Sequence, residues 1–270
     1  MFATRLISAS ILLPPVVAAV YFGSPWFDLM IAVFVVLMTW EWETICAGRF
    51  SAAGAVLALS AAAAVLWVPH HPLVGLAIAA AGGGGAFIVA LAQWTPSPER
   101  GMGRLRSALW LACGSPYAAA PALALVWLRA SSGLGTVLWL FGVVWATDIG
   151  AYLVGRGLGG PLLAPRISPK KTWSGAVGGL LSAMAVGAAA AALGFGEWMP
   201  LIALSAAASV VSQVGDLGES ALKRRFGVKD SGKVIPGHGG VLDRVDGLVP
   251  TAPLIALLAM AHEGEIGVWG

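Results

Sequence analysis

The chain of 270 residues contains few charged side chains, few cysteines and no long polar domain. Lys, Arg, Asp and Glu together make up 11% of the sequence, whereas hydrophobic residues make up 58%. Because soluble globular domains carry about a quarter charged residues, this composition excludes an ordinary soluble domain. Cys46 and Cys113 lie far apart in apolar runs and show no Cys-x-x-Cys spacing, so we expect both to be free, buried thiols.

The hydrophobic residues fall into runs that are long enough to cross a membrane. Each transmembrane helix needs about 20 mostly apolar residues. The sequence predicts about nine such helices, at residues 5–22, 26–47, 51–68, 72–94, 105–128, 133–154, 173–194, 198–218 and 249–268. We therefore predict an all-α, polytopic integral membrane protein that folds as a single membrane domain.

The distribution of basic residues supports this number of helices and predicts their orientation. With nine helices, 15 of the 16 Lys and Arg residues fall at the N-terminus or in even-numbered loops, and only Arg129 falls on the opposite side. Basic residues accumulate in cytoplasmic loops, which predicts a cytoplasmic N-terminus. The basic clusters are short and lack interleaved aromatic residues, so they suit lipid headgroups or soluble phosphates and do not indicate nucleic-acid binding.

One polar segment, residues 215–247, separates the last two predicted helices. It holds 5 of the 13 acidic residues and 6 of the 16 basic residues. Side chains at helical spacing share one face at the start of this segment: Gln213, Asp216, Ser220 and Lys223, bordered by Glu219. Two acidic helical faces are expected to flank a basic loop, because Asp243 and Asp246 share a face if the ninth helix begins near residue 241.

Three carboxylates of this segment are candidate metal ligands: Asp216, Asp243 and Asp246. Carboxylates gathered in a low-dielectric pocket need a cation if they are all to be ionised. An all-oxygen ligand set without His or Cys favours Mg²⁺, which takes one or two carboxylates and substrate phosphates. Asp148, late in the sixth predicted helix, is a further candidate for orientation or for a second cation.

Basic side chains near these carboxylates are candidate phosphate ligands, since ammonium and guanidinium groups form charge-assisted hydrogen bonds with phosphate. They are Lys170, Lys171, Lys223, Arg224, Lys229 and Arg244. The glycine-rich segment at 236–240 allows backbone N–H groups to approach an anion, and His238 is a further candidate donor. The positive-inside rule alone accounts for Arg100, Arg104 and Arg106.

Four polar motifs follow one another at fixed offsets within residues 220–246: Ser220-Ala-Leu-Lys223-Arg224, Lys229-Asp230, Pro236-Gly-His238-Gly-Gly and Asp243-Arg244-Val-Asp246. Together they resemble the signature of the phosphatidate cytidylyltransferases, also called CDP-diacylglycerol synthases. Further agreement lies upstream, in Gln213-Val-Gly215-Asp216-Leu-Gly-Glu219-Ser220, Ser168-Pro-Lys170-Lys171-Thr172 and Trp145-Ala-Thr-Asp148. The resemblance thus covers the C-terminal half. One departure is Ser174, which stands where the family usually has Glu. The resemblance therefore implies no acidic side chain at this position.

The resemblance implies a dimeric membrane enzyme of phospholipid biosynthesis that uses Mg²⁺, with a second, monovalent cation as a further expectation. The implied reaction converts CTP and phosphatidate to CDP-diacylglycerol and pyrophosphate, on the cytoplasmic side of the inner (plasma) membrane. Residues 131–270 are then the catalytic half, with cytoplasmic loops at 155–172 and 219–248, and residues 1–130 supply mainly structural helices. The expected catalytic residues are Asp216, Asp243, Asp246 and Lys223, and the expected substrate-binding residues are Lys170, Lys171, Arg224, Lys229, His238 and Arg244.

Two alternative functions are compatible with parts of this pattern. A CDP-alcohol phosphotransferase also carries an Asp-x-x-Asp-Gly motif, as in Asp243-Arg-Val-Asp246-Gly247, but the similarity ends after these five residues. A cation-coupled transporter could use Asp148 and Asp216 inside the membrane. Transporters tend to show inverted repeats and broken helices in both halves, whereas the polar groups of this chain concentrate in one half.

Overall fold

The computed structural model describes residues 14–93, 102–235 and 239–261 of the chain. In chain order, the helices are α1 (residues 14–22), α2 (Trp26–Ala47), α3 (Ala52–Trp67), α4 (Pro72–Ala92), α5 (Arg104–Ala112), a π-helical turn (Ser115–Ala119), α6 (Ala120–Ser131), α7 (Gly133–Leu158), α8 (Trp173–Ala192), α9 (Trp198–Arg225), α10 (Leu242–Val245) and α11 (Leu248–Ala261). Two strands, β1 (Leu162–Ala164) and β2 (Ser168–Thr172), lie between α7 and α8. His238 lies outside the described residues.

The helical, membrane-spanning character predicted from composition is confirmed. Within the described ranges, six helices are long and apolar enough to cross a membrane: α2, α4, α7, α8, α9 and the stretch Arg104–Ser131. The apolar helices α3 and α11 are shorter, at 16 and 14 residues. The exact number of nine spans and the cytoplasmic N-terminus stay predictions.

The all-α class describes most of the structure, but residues 162–172, which were predicted as part of a loop, form an antiparallel β-hairpin. Leu162 pairs with Thr172, and Ala164 pairs with Ser168. Proline explains part of this structure: the residue before a proline is driven towards extended backbone, and Ser168 precedes Pro169. The segment that was predicted as a loop therefore holds Lys170 and Lys171 on a defined strand.

A second correction concerns Asp243 and Asp246, which do not lie on one continuous helix. The short helix α10 ends at Val245, and α11 begins at Leu248. Pro250 supplies a physical reason, since it has no N–H to donate to the carbonyl of Asp246, four residues earlier. The chain therefore breaks at Asp246 and Gly247, although proline is well tolerated in the first turn of α11.

The chain folds into two compact units. The first unit contains the described residues up to Ala130, together with Arg225–Val245, and the second contains Ser131–Arg224 and the described residues from Asp246 onward. In the first unit, small residues let α3 and α4 approach closely. A side chain at Gly82, for example, would collide with the hydroxyl of Ser60.

In the second unit, α7 and α8 pack against each other along their length through glycine contacts. A Cβ atom at Gly175 would lie 2.8 Å from the carbonyl oxygen of Ala151, and one at Gly179 would lie 2.8 Å from that of Thr147. Such close packing is typical of helices in lipid, where small residues let backbones meet. The hydroxyl of Thr147 also donates to the carbonyl oxygen of Val143 at 2.8 Å.

Candidate functional site

The second unit contains four carboxylates that interact electrostatically, here called the acidic cluster: Asp148, Asp216, Glu219 and Asp246. Asp148 lies on α7, Asp216 and Glu219 lie on α9, and Asp246 lies in the break before α11. Burial, followed by repulsion from Asp216, Glu219 and Asp148, raises the pKa of Asp246 to about 8. The four carboxylates therefore repel one another, and Asp246 lies where an ionised carboxylate is poorly solvated.

Close backbone packing brings Asp216 and Asp246 into the same cluster. A Cβ atom at Gly215 would lie 2.5 Å from Cγ of Pro250 and 2.7 Å from the carbonyl oxygen of Asp246. A side chain at Gly247 would likewise collide with the hydroxyl of Ser212. Glycine at both positions is thus what allows α9 to meet the chain break that carries Asp246.

Two predicted phosphate-binding lysines contact this cluster. The ammonium group of Lys171 forms an ion pair with Oδ2 of Asp216. Nζ of Lys223 lies 3.1 Å from Oε1 of Glu219, four residues earlier on α9. The side chain of Glu219 is fully buried and that of Lys223 is 12% exposed, so solvent screens this pair less than it screens a surface pair. Arg224 and Lys170 are exposed.

The start of α8 fixes Lys171 in place. Thr172 follows Lys171 directly and is the N-cap of α8, where its hydroxyl accepts a hydrogen bond from the backbone N–H of Gly175 at 3.1 Å. Threonine is a favoured N-cap because it satisfies one of the free N–H groups of the first turn. The hydroxyl of Ser174, at the position where Glu was expected, donates to the carbonyl oxygen of Gly159 and so ties α8 to the end of α7.

The polar residues around Gln213 serve packing. Nε2 of Gln213 donates to the carbonyl oxygen of Ala176 and to the hydroxyl of Ser209, both at 3.3 Å. The hydroxyl oxygens of Thr147 and Ser209 lie 3.0 Å apart and share a hydrogen bond between α7 and α9. These side-chain hydrogen bonds join α7, α8 and α9 at positions that precede Asp216 in the chain. Gln213 therefore shares the helical face of Asp216 but has a structural partner of its own.

Asp243 belongs to the first unit and organises a loop there. Its Oδ2 accepts hydrogen bonds from the backbone N–H groups of Ser231 and Gly240, both at 2.9 Å. The backbone N–H of Asp243 donates to the hydroxyl of Ser231 at 3.3 Å. Lys229 and Arg244 in this unit are exposed.

Sequence reasoning gave no role to Glu41, which holds the same loop. Its carboxylate accepts hydrogen bonds from the hydroxyl of Ser231 and from the backbone N–H groups of Val241 and Leu242. A usable signal was present, since an ionisable residue inside an apolar helix indicates a functional or paired site. Glu219 was placed beside the acidic face, but its burial could not be read from the sequence.

The acidic cluster suits a hard divalent cation by the chemistry of its ligands. All four members offer carboxylate oxygens, which Mg²⁺ prefers, and a cation offsets both the burial and the repulsion that raise the pKa of Asp246. In the described part of the chain, no group of three or more His, Cys, Asp or Glu side chains is arranged to hold a metal ion. Mg²⁺ does not need one, because it is usually bound through one or two carboxylates together with water and substrate phosphates.

Comparison with known proteins matches the sequence of this chain to one family. The model of the cytidylyltransferase family matches residues 3–262. The chain is similar to the phosphatidate cytidylyltransferase of Brucella suis biovar 1 (strain 1330), with 42% identity over 262 residues, or 94% of this chain and 92% of that protein. It is also similar to the phosphatidate cytidylyltransferase of Pseudomonas aeruginosa, with 37% identity over 97% of this chain and 98% of that protein. The chain therefore belongs to the cytidylyltransferase family.

Proposed function

We propose that this protein transfers the cytidylyl group of CTP to phosphatidate, giving CDP-diacylglycerol and pyrophosphate. The observation that carries the proposal is the acidic cluster with Lys171 and Lys223 beside it, in a membrane-spanning member of the cytidylyltransferase family. Relatives that match it over nearly their full length are named phosphatidate cytidylyltransferases. These findings favour a cytidylyltransferase over a CDP-alcohol phosphotransferase or a transporter.

The chemistry of the reaction explains why the site needs charge more than it needs a base. A phosphate oxygen of phosphatidate attacks the α-phosphorus of CTP, and a new P–O bond forms. The bond from the α-phosphorus to the oxygen that bridges to the β-phosphate breaks, and pyrophosphate leaves with that electron pair. A phosphate monoester has a second pKa of about 6, so the nucleophile is already ionised near neutral pH. The protein has to position the reactants and neutralise their charge.

Asp216 and Asp246 are the proposed ligands of Mg²⁺, and Asp243 stays a predicted third ligand. When bound, the ion supplies positive charge to the triphosphate and to the departing pyrophosphate. Asp148 stays a candidate for orientation or for a second, monovalent cation. The support for this assignment is the oxygen-only ligand set and the mutual repulsion within the acidic cluster.

Lys171 and Lys223 are the proposed phosphate ligands closest to the carboxylates. Their ammonium groups form ion pairs with Asp216 and Glu219. We infer that a bound triphosphate competes for these ammonium groups, because lysine forms charge-assisted hydrogen bonds with phosphate as well as with carboxylate oxygens. Lys170 and Arg224 lie exposed in the same unit, and Lys229, Arg244 and His238 stay predicted substrate-binding residues.

The proposed location is the inner (plasma) membrane, with the reacting groups on the cytoplasmic side, where CTP is available. The basic residues of the even-numbered loops support this orientation. A homodimer is proposed from the family resemblance alone. Cross-linking in native membranes, followed by mass determination of the purified protein, tests the dimer.

A direct assay tests the proposed reaction. Purified protein in detergent with phosphatidate, Mg²⁺ and CTP labelled in the α-phosphate should produce a labelled lipid together with pyrophosphate. Labelled CDP-diacylglycerol with a free alcohol should give no transfer product. The opposite result, with transfer from CDP-diacylglycerol and no reaction of CTP, would identify a CDP-alcohol phosphotransferase instead.

A further inference from the structure

Helix α2 carries a buried carboxylate far in sequence from all the family-signature residues. Glu41 lies in the last two turns of α2, and its relative exposure is 0%. Ionisable groups inside apolar membrane helices are costly and persist mainly where they have partners. The identity of these partners therefore indicates what Glu41 does.

Among the described residues, three hydrogen-bond donors to Glu41 come from one segment, Ser231–Asp243. Oε1 accepts from the backbone N–H of Val241 at 2.8 Å. Oε2 accepts from the backbone N–H of Leu242 at 2.8 Å and from the hydroxyl of Ser231 at 3.0 Å. An ionised carboxylate only accepts hydrogen bonds, so both oxygens of Glu41 match the donors that surround them.

Ser231 links Glu41 to Asp243. While its hydroxyl donates to Glu41, the same oxygen accepts from the backbone N–H of Asp243 at 3.3 Å. The backbone N–H of Ser231 in turn donates to Oδ2 of Asp243 at 2.9 Å. Both carboxylates thus accept hydrogen bonds from Ser231, and a chain of hydrogen bonds runs from Glu41 through Ser231 to Asp243.

Two glycines of the segment pack directly against the carboxylate of Glu41. A Cβ atom at Gly240 would lie 2.6 Å from each of its oxygens, and one at Gly232 would lie 2.8 Å from Oε1. The loop has therefore closed around Glu41 without space for a side chain. Close packing and three hydrogen bonds therefore hold Ser231, Gly232 and Gly240–Leu242 against the carboxylate of Glu41.

We propose that Glu41 is a positioning residue, which fixes the segment Ser231–Asp243 and thereby orients the carboxylate of Asp243 for cytidylyl transfer. Its effect on catalysis rests on the proposed function, whereas its effect on the loop does not. A role of this kind affects the rate of the chemical step, since small displacements of a positioned group lower kcat strongly.

Glu43 supplies a matched control on the same helix. It is also buried, with a relative exposure of 1%. Its Oε2 accepts from the backbone N–H of Ser51 at 2.9 Å, and Oε1 accepts from the hydroxyl of the same residue. Glu43 therefore holds the start of α3, and both of these hydrogen bonds lie outside the segment Ser231–Asp243. Glu41→Gln and Glu43→Gln make the same substitution on the same helix, and each removes a carboxylate acceptor from a different segment.

The experiment compares hydrogen–deuterium exchange and steady-state kinetics of these two variants with the wild-type protein. In Glu41→Gln, peptides that contain Ser231 or Val241–Leu242 should exchange faster, because an amide offers one acceptor oxygen and an NH₂ group that repels the backbone donors. In Glu43→Gln, faster exchange should occur at Ser51–Ala53 instead. We expect kcat of Glu41→Gln to fall roughly tenfold to a hundredfold with little change in KM for phosphatidate, and kcat of Glu43→Gln to stay within about twofold.

Unchanged exchange at Val241–Leu242 in Glu41→Gln, or an equal loss of kcat in both variants, overturns the proposal. If Glu41→Gln does not accumulate in membranes, Ser231→Ala tests the same link, and it should speed exchange at the amide of Asp243 and lower kcat. A wild-type protein that makes no CDP-diacylglycerol would refute the proposed function, and the exchange data would still decide the role of Glu41 in the loop.

Discussion

Asp216 is the residue on which the proposed chemistry depends most directly, because it joins the acidic cluster to the β-hairpin. Its carboxylate pairs with Lys171, and it lies close enough to Asp246 to raise the pKa of that residue. One side chain thus contacts a proposed phosphate ligand and repels a second proposed metal ligand. Removing its charge should weaken the interaction with Lys171 and reduce the repulsion of Asp246.

We expect Asp216→Asn to lower CDP-diacylglycerol formation by at least about a hundredfold. The variant loses a charged carboxylate that is proposed to bind the Mg²⁺ ion beside the reacting phosphates. The protein should still insert into membranes, since the amide keeps the shape of the side chain. Glu197→Gln is a suitable control, because Glu197 is exposed just before the other end of α9. Normal turnover of purified Asp216→Asn would rule out its role as a metal ligand.

Asp246 leads to a prediction about pH. In the folded protein its pKa is raised from 3.8 to about 8, mainly by burial and then by Asp216. The folded state therefore holds the proton more tightly than the unfolded chain, so the stability of the metal-free protein should fall as pH rises from about 4 to about 8. Thermal unfolding in detergent with a chelator, at about pH 6 and about pH 8.5, measures this change.

The variant Asp246→Asn separates this effect from general alkaline destabilisation. An Asn side chain can still accept the hydrogen bond from the backbone N–H of Gly247, which Oδ1 of Asp246 accepts at 2.8 Å. The variant should unfold at a higher temperature than the wild type at the alkaline pH, with a smaller difference between the two pH values. Identical pH dependence in the two proteins would show that Asp246 does not hold its proton as described.

At the scale of secondary-structure elements, the contact of α9 with the chain break before α11 decides whether the acidic cluster forms. Gly215 and Gly218 lie three residues apart on the same helix but differ in their surroundings. A Cβ atom at Gly215 would meet Pro250 and the carbonyl of Asp246, whereas one at Gly218 would meet nothing within 4 Å. Alanine substitutions at these two positions therefore distinguish the effect of close packing from the effect of helix propensity.

We expect Gly215→Ala to lower both thermal stability and cytidylyltransferase activity, because overpacking typically costs about 1–3 kcal/mol. Gly218→Ala should be neutral or stabilising by up to about 1 kcal/mol, since alanine is the better helix former. Measurements of the unfolding temperature and of product formation in both variants check these expectations. Equal behaviour of the two variants would mean that α9 does not need its close approach to the chain break.

The β-hairpin distinguishes two lysines that the sequence treats alike. Successive residues of a strand point to opposite faces, and Lys171 pairs with Asp216 while Lys170 is exposed. Lys171→Ala should therefore raise KM for CTP or phosphatidate more than Lys170→Ala does. Steady-state kinetics with each substrate varied in turn measures the difference. Unchanged KM values for both substrates in Lys171→Ala would count against its binding role.

At the scale of the whole molecule, the predicted nine spans and cytoplasmic N-terminus would place the C-terminus on the opposite side of the membrane. A reporter enzyme that is active only after export should therefore be active when fused to the C-terminus and inactive when fused to the N-terminus. Fusions after Gly103 and Arg129 give internal controls, since the distribution of basic residues predicts that these positions lie on opposite sides. Activity at both termini would require an even number of spans.

Most of the fold class and the chemical character of the site followed from local patterns. Apolar runs predicted membrane-spanning helices because the bilayer requires about 20 apolar residues for each crossing. The spacing of Asp216, Glu219 and Lys223 predicted a shared surface of α9, and the ion pair of Glu219 with Lys223 agrees with it. These features depend on residues close together in the chain, where composition and helical period are sufficient.

Long-range packing accounts for what the sequence did not reveal. Glu41 contacts residues 190 to 201 positions later, and no pattern in either segment points to the other. Lys171 forms its ion pair with Asp216 because the β-hairpin before α8 places it there. Charge, hydropathy and helical period are properties of neighbouring residues, so they were enough to predict a membrane-spanning helical chain with one charged region. Which carboxylates are buried, paired or repelled depends on how glycines let distant backbones meet, and that was decided by the tertiary structure alone.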